Sequence, residues 1–286
     1  MRSKPTSKPR PGLYIVATPI GNMDDISLRA LDLLAAVDRI ACEDTRHTRQ
    51  LLERHGIEAR LLPYHEHNAE HMLPAIMARL THGETIALVS DAGTPLISDP
   101  GYKMVRKVIA SGIHVSALPG ASAALMALTL SGLPSDNFMF AGFLPPKSGA
   151  RRKALGELAA IQTTLIFFES TRRLAASLND MAEILGAREC TVAREMTKLY
   201  EECLRGDLGG LAAHYTEAGA PKGEAVVVVG PPAKAAEYTE EYIETRLTEL
   251  LQSSSVRDAA AQLAAETNLA RRKLYEAALR LSGGKK

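Results

Sequence analysis

Short apolar runs recur through the first half of the chain, each closed by turn residues and followed by a stretch with helical spacing. The run 13–17 ends at Thr18-Pro19-Ile20-Gly21-Asn22, and the run 39–42 ends at Glu43-Asp44-Thr45-Arg46. A strand over 59–63 ends at Tyr64-His65-Glu66-His67-Asn68, the run 86–89 at the loop 90–101, and 114–118 at Pro119-Gly120-Ala121-Ser122-Ala123. Such runs read as buried strands. Between them Ser27 caps a helix carrying Leu28, Leu31, Leu34 and Ala35. Leu51 and Leu52 mark a second helix, stopped by Gly56. Met72, Ile76 and Leu80 mark a third, and Met104, Val105, Val108 and Ile109 a fourth. This alternation calls for a mostly parallel sheet flanked by helices.

The pattern changes after 138. Strands at 138–143 and 164–168 surround a helix bearing Arg151, Arg152 and Lys153, and 190–193 and 199–204 lie close enough to pair antiparallel. A helix over 207–218 and a strand over 225–229 follow, ended by Pro231-Pro232. Beyond lie helices. Val256, Ala259, Ala260, Leu263 and Ala264 share one face, and Asn268 caps a last helix with Leu274, Ala278 and Leu281 inward. With Arg271-Arg272-Lys273 at its start, this pair resembles a helix-turn-helix unit, although plain helical packing reads the same way. The expected organisation is a disordered basic tail (1–11), two α/β domains (12–122 and 123–232) and a helical extension (233–286).

Composition narrows the functions. Of 286 residues 46% are hydrophobic and 23% charged, and the net charge is +1, so any nucleic-acid surface is a local patch. Three separated cysteines, Cys42, Cys190 and Cys203, fit a reducing, cytoplasmic compartment and argue against a disulfide frame or a zinc site. No apolar run approaches the ~20 residues of a membrane span. G-x-G, G-x-x-x-x-G-K-[ST] and G-x-S-x-G are all absent, so no dinucleotide fingerprint, P-loop or nucleophile elbow is signalled. Instead the loop 90–101 packs two prolines, two glycines and two aspartates at a strand's carboxyl end, where open α/β sheets bind ligands. The loops at Pro19, Asp91 and Gly120 suggest a ligand held by backbone groups and one carboxylate.

Other clusters are ambiguous. Glu43-Asp44-Thr45-Arg46 reads equally as helix-start chemistry, with Thr45 as cap, or as a carboxylate aimed into a cleft. His65, His67 and His71 are not expected to hold a metal; Glu66, His67 and Asn68 are better read as substrate-facing groups. Arg172 and Arg173, like Arg194 and Lys198, suit either surface ion pairs or the phosphates of an RNA strand.

The ordered string Thr18 to Asn22, Ala41 to Thr48, Tyr64 to Asn68, Ser90 to Gly101, Pro119 to Ala123, Phe168 to Arg172 and Arg194 to Lys198 resembles the tetrapyrrole-methylase class of S-adenosylmethionine-dependent methyltransferases. Within it, the string is similar to the bacterial 16S ribosomal RNA ribose 2′-O-methyltransferases; Ser90-Asp91-Ala92 stands where tetrapyrrole methylases proper have Gly-Asp-Pro. The resemblance implies two α/β domains with S-adenosylmethionine in the cleft between them, no metal, usually a homodimer, and methylation of a decoding-centre cytidine on the small ribosomal subunit. It implies cofactor contacts at Pro19, Asp91, Thr94, Ser122, Ala123, Phe168, Glu195, Glu224 and Ala225. Asp44, Glu43, Glu66 and His67 are the candidates for a base that takes the hydroxyl proton. Arg46, Arg151, Arg152, Lys153, Arg172, Arg271 and Arg272 are the expected RNA contacts. A small-molecule methylase and a non-catalytic RNA-binding module are the alternatives.

Overall fold

The computed structural model describes residues 8–233, 238–267 and 269–283. They form two compact units that divide between Pro232 and Ala233.

The first unit holds two five-stranded sheets. In the first sheet, β1 (Gly12–Val16), β2 (Arg39–Cys42), β3 (Leu61–Pro63), β4 (Thr85–Val89) and β5 (Val115–Leu118) are all parallel, in the order β3-β2-β4-β1-β5. Alternate residues face opposite sides. Val16, Ile40, Cys42 and Val89 pack against Leu31, Leu34, Leu51 and Leu52 of α1 (Leu28–Ala36) and α2 (Thr45–Arg54). Leu13, Ala41, Ile86 and Leu88 pack against Ile76, Leu80, Met104 and Val108 of α3 (Ala69–Thr81) and α4 (Tyr102–Ala110). Covering both faces explains why the strands read as continuous apolar runs.

The second sheet has the order β6-β7-β10-β8-β9, from β6 (Phe138–Phe143), β7 (Thr164–Ser170), β8 (Glu189–Arg194), β9 (Glu202–Asp207) and β10 (Glu224–Val229). Only β6 and β7 run parallel; the other pairs are antiparallel. One face packs on Ala124, Ala127 and Leu128 of α5 (Ala123–Ser131). The other packs on α6 (Ser148–Leu158), α7 (Leu174–Leu185) and α8 (Leu208–Ala218), through Leu155, Leu178, Met181 and Leu211.

Several sequence expectations need correction. Helix α7 is absent from the sequence reading, and β9 begins at Glu202, whereas the pattern places a strand at 199–204. Asp44, and not Thr45, caps α2: its Oδ1 accepts from the Arg46 amide at 2.8 Å. Asp207 caps α8 as well as ending β9. Asn268 and residues 1–7 lie outside the described residues.

The second unit contains α9 (Glu240–Leu251), α10 (Val256–Thr267) and α11 (Arg271–Leu281) around Leu247, Leu250, Leu263, Leu274 and Ala278. Arg271, Arg272 and Lys273 are exposed at the start of α11. Among the described residues no helix is long and apolar enough to cross a membrane.

Candidate functional site

The strand ends of the first sheet are tied together by the loop after β4. Thr18 and Gly93 exchange two backbone hydrogen bonds, at 2.9 and 3.0 Å, and the Thr18 hydroxyl donates to the Ser90 carbonyl at 3.0 Å. The Thr94 hydroxyl donates to the Ala121 carbonyl at 2.9 Å, which fixes the loop to the turn before α5. Gly120 is required in that turn, because a Cβ there would lie 2.7 Å from the Ala17 Cβ. Further along, Leu96 (φ 73°) and Ser98 (φ 66°) take left-handed conformations unusual for residues with a Cβ. Such strain collects at functional sites, where surrounding structure holds it.

This loop forms one wall of a cavity of about 420 Å³, a volume within the usual range of small-molecule sites. Asp91, Thr94 and Asp99 line it from the first half, with Ser122 and Ala123 at the start of α5. The opposite wall is Phe168 at the end of β7, Glu195 after β8, and Glu224 and Ala225 at the start of β10. Eight of the nine cofactor positions expected from the sequence thus meet in one cavity. Pro19 does not: it is buried, and Ile20 beside it lines the wall.

Phe168 stands edge-on to Phe140 and Phe143, with centroids 4.8 and 5.6 Å apart, and offers a planar apolar surface. Behind it, buried Glu169 accepts from the Ser170 amide (2.7 Å), Arg173 (2.6 Å) and the Ser177 hydroxyl (2.5 Å), which locks the turn into α7. Glu195 has φ 50° and accepts from Lys198 Nζ at 2.9 Å and the Glu224 amide at 3.2 Å. A Cβ on Gly223 would collide with that carboxylate.

Five acidic residues therefore line the cavity, Asp91, Asp99, Glu169, Glu195 and Glu224, together with Lys198, which pairs with Glu195 at 2.9 Å and Glu224 at 3.3 Å. Asp91 Oδ1 accepts from the Asp44 amide at 2.9 Å, and Oδ2 lies 3.6 Å from His47 Nδ1. Asp99 is not among the site residues expected from the sequence. Burial, together with the negative charges of Glu43 and Asp91, lifts its carboxyl to about 6, against a hydrogen bond from Ser90 that lowers it. Only the folded loop shows this, since nothing in Ser-Asp-Pro distinguishes a cavity carboxylate from a turn residue.

A second, shallower bowl of about 460 Å³ adjoins the first. Glu43, Asp44, Thr45, Pro63, His65 and His67 line it, and Asp91 belongs to both. The base candidates differ sharply there. Asp44 is held well below the usual carboxylate range by Arg46, through its side chain and its amide. Glu43 is half-buried and pushed up by burial and by the charges of Asp91, Glu66 and Asp44, which His65 partly offsets. Glu66 and His67 are exposed. No group of three metal-ligating side chains occurs among the described residues.

The expected RNA contacts divide. Arg151 is corrected: it is only 4% exposed, bonded to Asp180 at 2.6 Å and to the Pro146 carbonyl at 3.2 Å, and so holds α6 to α7. Arg152 is partly exposed and paired with Glu183. Arg46, Lys153, Arg172, Arg271 and Arg272 are exposed; Arg46 is paired with Asp44, and Arg272 with Glu276 at 3.1 Å.

Comparison with known proteins follows the same division of the chain. Residues 12–212 match the family model of Tetrapyrrole (Corrin/Porphyrin) Methylases, and residues 235–282 that of the RsmI C-terminal HTH domain. The chain is 53% identical over 273 residues to the ribosomal RNA small subunit methyltransferase I of Mesorhizobium japonicum, covering 95% of this chain and 92% of that one. It is 49% identical over 268 residues to the protein of the same name from Xylella fastidiosa, covering 92% and 97%. A solved structure, uroporphyrin-III C-methyl transferase from Thermus thermophilus complexed with S-adenyl homocysteine, matches with a TM-score of 0.54 at 17% identity, covering 77% of this chain and 97% of that one.

Proposed function

We propose a function that starts from kinship: the chain belongs to the tetrapyrrole methylase family and, within it, to the ribosomal RNA small subunit methyltransferase I group. It is a methyltransferase that carries a methyl group from S-adenosylmethionine to the ribose 2′-hydroxyl of a cytidine in 16S ribosomal RNA. The single observation that supports this most is the cavity between the two sheets, lined mostly by acidic side chains and faced by Phe168.

The residues present fit such a donor. A sulfonium cation is matched by the excess of acidic side chains, led by Asp91 and Asp99, since Glu195 and Glu224 share the single Lys198 of the lining; a polyphosphate would be repelled by that excess. Phe168 offers a planar partner for a nucleobase, and Thr94, Ser122 and Ala123 bring backbone and hydroxyl groups to the opposite wall. When bound, the donor supplies an activated methyl, because its sulfur departs as a neutral thioether. The chain's own contribution is to place acceptor and donor in line, which is worth roughly 7–11 kcal/mol when well done. The bowl beside Asp91 is where the acceptor ribose enters, and the exposed Arg46, Lys153, Arg172, Arg271 and Arg272 hold RNA phosphates.

The working form is a homodimer in the cytoplasm. Leu125 and Met126 on α5, and Phe138 and Met139 on the edge strand β6, are exposed large apolar side chains, which supports a second copy as their cover. The acceptor is tested by offering labelled donor to small subunits lacking the modification, to naked RNA and to porphyrin precursors. Label in a 2′-O-methylcytidine of the small subunit is expected; label in a porphyrin precursor alone refutes the assignment.

A further inference from the structure

The four base candidates stand in very different surroundings. Asp44 is spent: its carboxylate caps α2 and grips Arg46 at 2.7 Å, so it has little affinity for another proton. Asp91 accepts from the Asp44 amide, with His47 near its other oxygen. Glu66 and His67 sit in water on the outer rim. Glu43 differs from all of these. It leaves the carboxyl end of β2, lies half-buried in the bowl that shares Asp91 with the donor cavity, and has no hydrogen-bond or ion-pair partner among the described residues. A carboxylate placed in a concave site and left without a partner is available to a hydroxyl that enters it.

We propose that Glu43 is the general base of the transfer, accepting the proton of the acceptor's 2′-hydroxyl from its position in the bowl beside Asp91. This rests on the function proposed above. As the 2′-oxygen forms its bond to the methyl carbon with a lone pair, the C–S bonding pair stays with sulfur, giving a thioether. The O–H pair remains on oxygen and the proton passes to a Glu43 carboxylate oxygen. No further reactant is needed. The charged groups Glu43 feels are Asp44 after β2, His65 and Glu66 after β3, and Asp91 and Asp99 after β4, and His67 lines the same bowl. The acids among them, with partial burial, raise its basicity toward that of an efficient base.

The test uses the full chain, with Glu43→Gln and Glu43→Asp beside wild type. Calorimetry with S-adenosylmethionine should give all three the same donor affinity within threefold, which also certifies the fold. Single-turnover transfer to small subunits at saturating donor should fall about 10²–10⁴-fold in Glu43→Gln and recover in part in Glu43→Asp. The acid limb of the wild-type pH profile should vanish in Glu43→Gln. Independently of catalysis, carbon-13 NMR of labelled glutamates should show one carboxyl, missing from Glu43→Gln, titrating above the ordinary value of about 4.3. A Glu43→Gln rate within threefold of wild type at every pH overturns the base assignment while leaving the function standing. Equal loss of donor binding and rate in Glu43→Gln overturns it as well. A wild-type chain that labels no RNA overturns the function beneath it, and the base with it.

Discussion

Asp99 gives the sharpest handle on the donor cavity, because its carboxyl is lifted to about 6 in the free protein. A cation entering the cavity favours the ionised form, so below that pH binding has to expel a proton. The ionised fraction falls from about 0.9 at pH 7 to about 0.1 at pH 5, which predicts a roughly tenfold weaker donor affinity, about 1.4 kcal/mol. Replacing the charge outright, Asp99→Asn should weaken binding roughly 10–100-fold at pH 7, as expected for loss of a charge-assisted contact of about 1.5–3 kcal/mol. The same variant should bind with an affinity nearly flat between pH 5 and 7. S-adenosylhomocysteine lacks the sulfonium and should respond less to both changes. Titration calorimetry of both ligands, on both proteins, at pH 5, 6 and 7 reads all of this. The sign for folding is opposite. A carboxyl raised in the folded state favours that state at low pH and loses the advantage as pH rises through about 6. Asp99→Asn should therefore raise the melting temperature of the free protein at pH 7.5 while weakening the donor. A wild-type affinity that stays constant from pH 7 to 5, or an Asp99→Asn variant with wild-type pH dependence, would refute this reasoning.

Other expectations follow from particular contacts. Arg151→Ala leaves Asp180 charged and buried in the interface of α6 and α7, and should cost about 3–5 kcal/mol in chemical denaturation. If it folds, its RNA affinity should match wild type. Gly120→Ala and Gly21→Ala each force a Cβ against fixed neighbours, Ala17 in one case and Thr197, Lys198 and the Met196 carbonyl in the other, and should destabilise by about 1–3 kcal/mol in the same assay. Phe168→Ala removes the edge-on aromatic cluster and should weaken donor binding in calorimetry several-fold while leaving RNA affinity unchanged. Arg271→Glu with Arg272→Glu, far in sequence from the cavity, should lower small-subunit affinity and its salt dependence in filter binding, and leave donor affinity unchanged.

The first sheet was legible because its inner strands β1, β2 and β4 are buried on both faces and bounded by their own turn clusters, so 13–17, 39–42 and 86–89 declare themselves without tertiary knowledge. The second was harder for local reasons. Helix α7 begins at a charged turn, and its N-cap position, Arg173, makes no side-chain capping bond; Glu169 satisfies that turn from the strand before it. Strand β9 slipped because Glu195 and Thr197 turn left-handed and leave Leu199 and Tyr200 out in solvent, where their apolar character resembles a strand. Arg151 looked like an RNA contact because its partner Asp180 is 29 residues away on the unexpected helix. Eight cofactor positions came from resemblance and converge on one cavity, yet Asp99 stayed hidden: its altered acidity depends first on burial and then on Glu43 and Asp91, which only folding brings about.

The proposed catalysis requires a cationic methyl donor seated in the cavity between the two sheets. A crystal structure of the chain grown with S-adenosylmethionine tests this directly. The donor should lie bounded by Asp91 and Asp99 on one side and by Phe168, Glu195 and Ala225 on the other. A donor bound elsewhere, or this cavity empty at saturating donor, would contradict it.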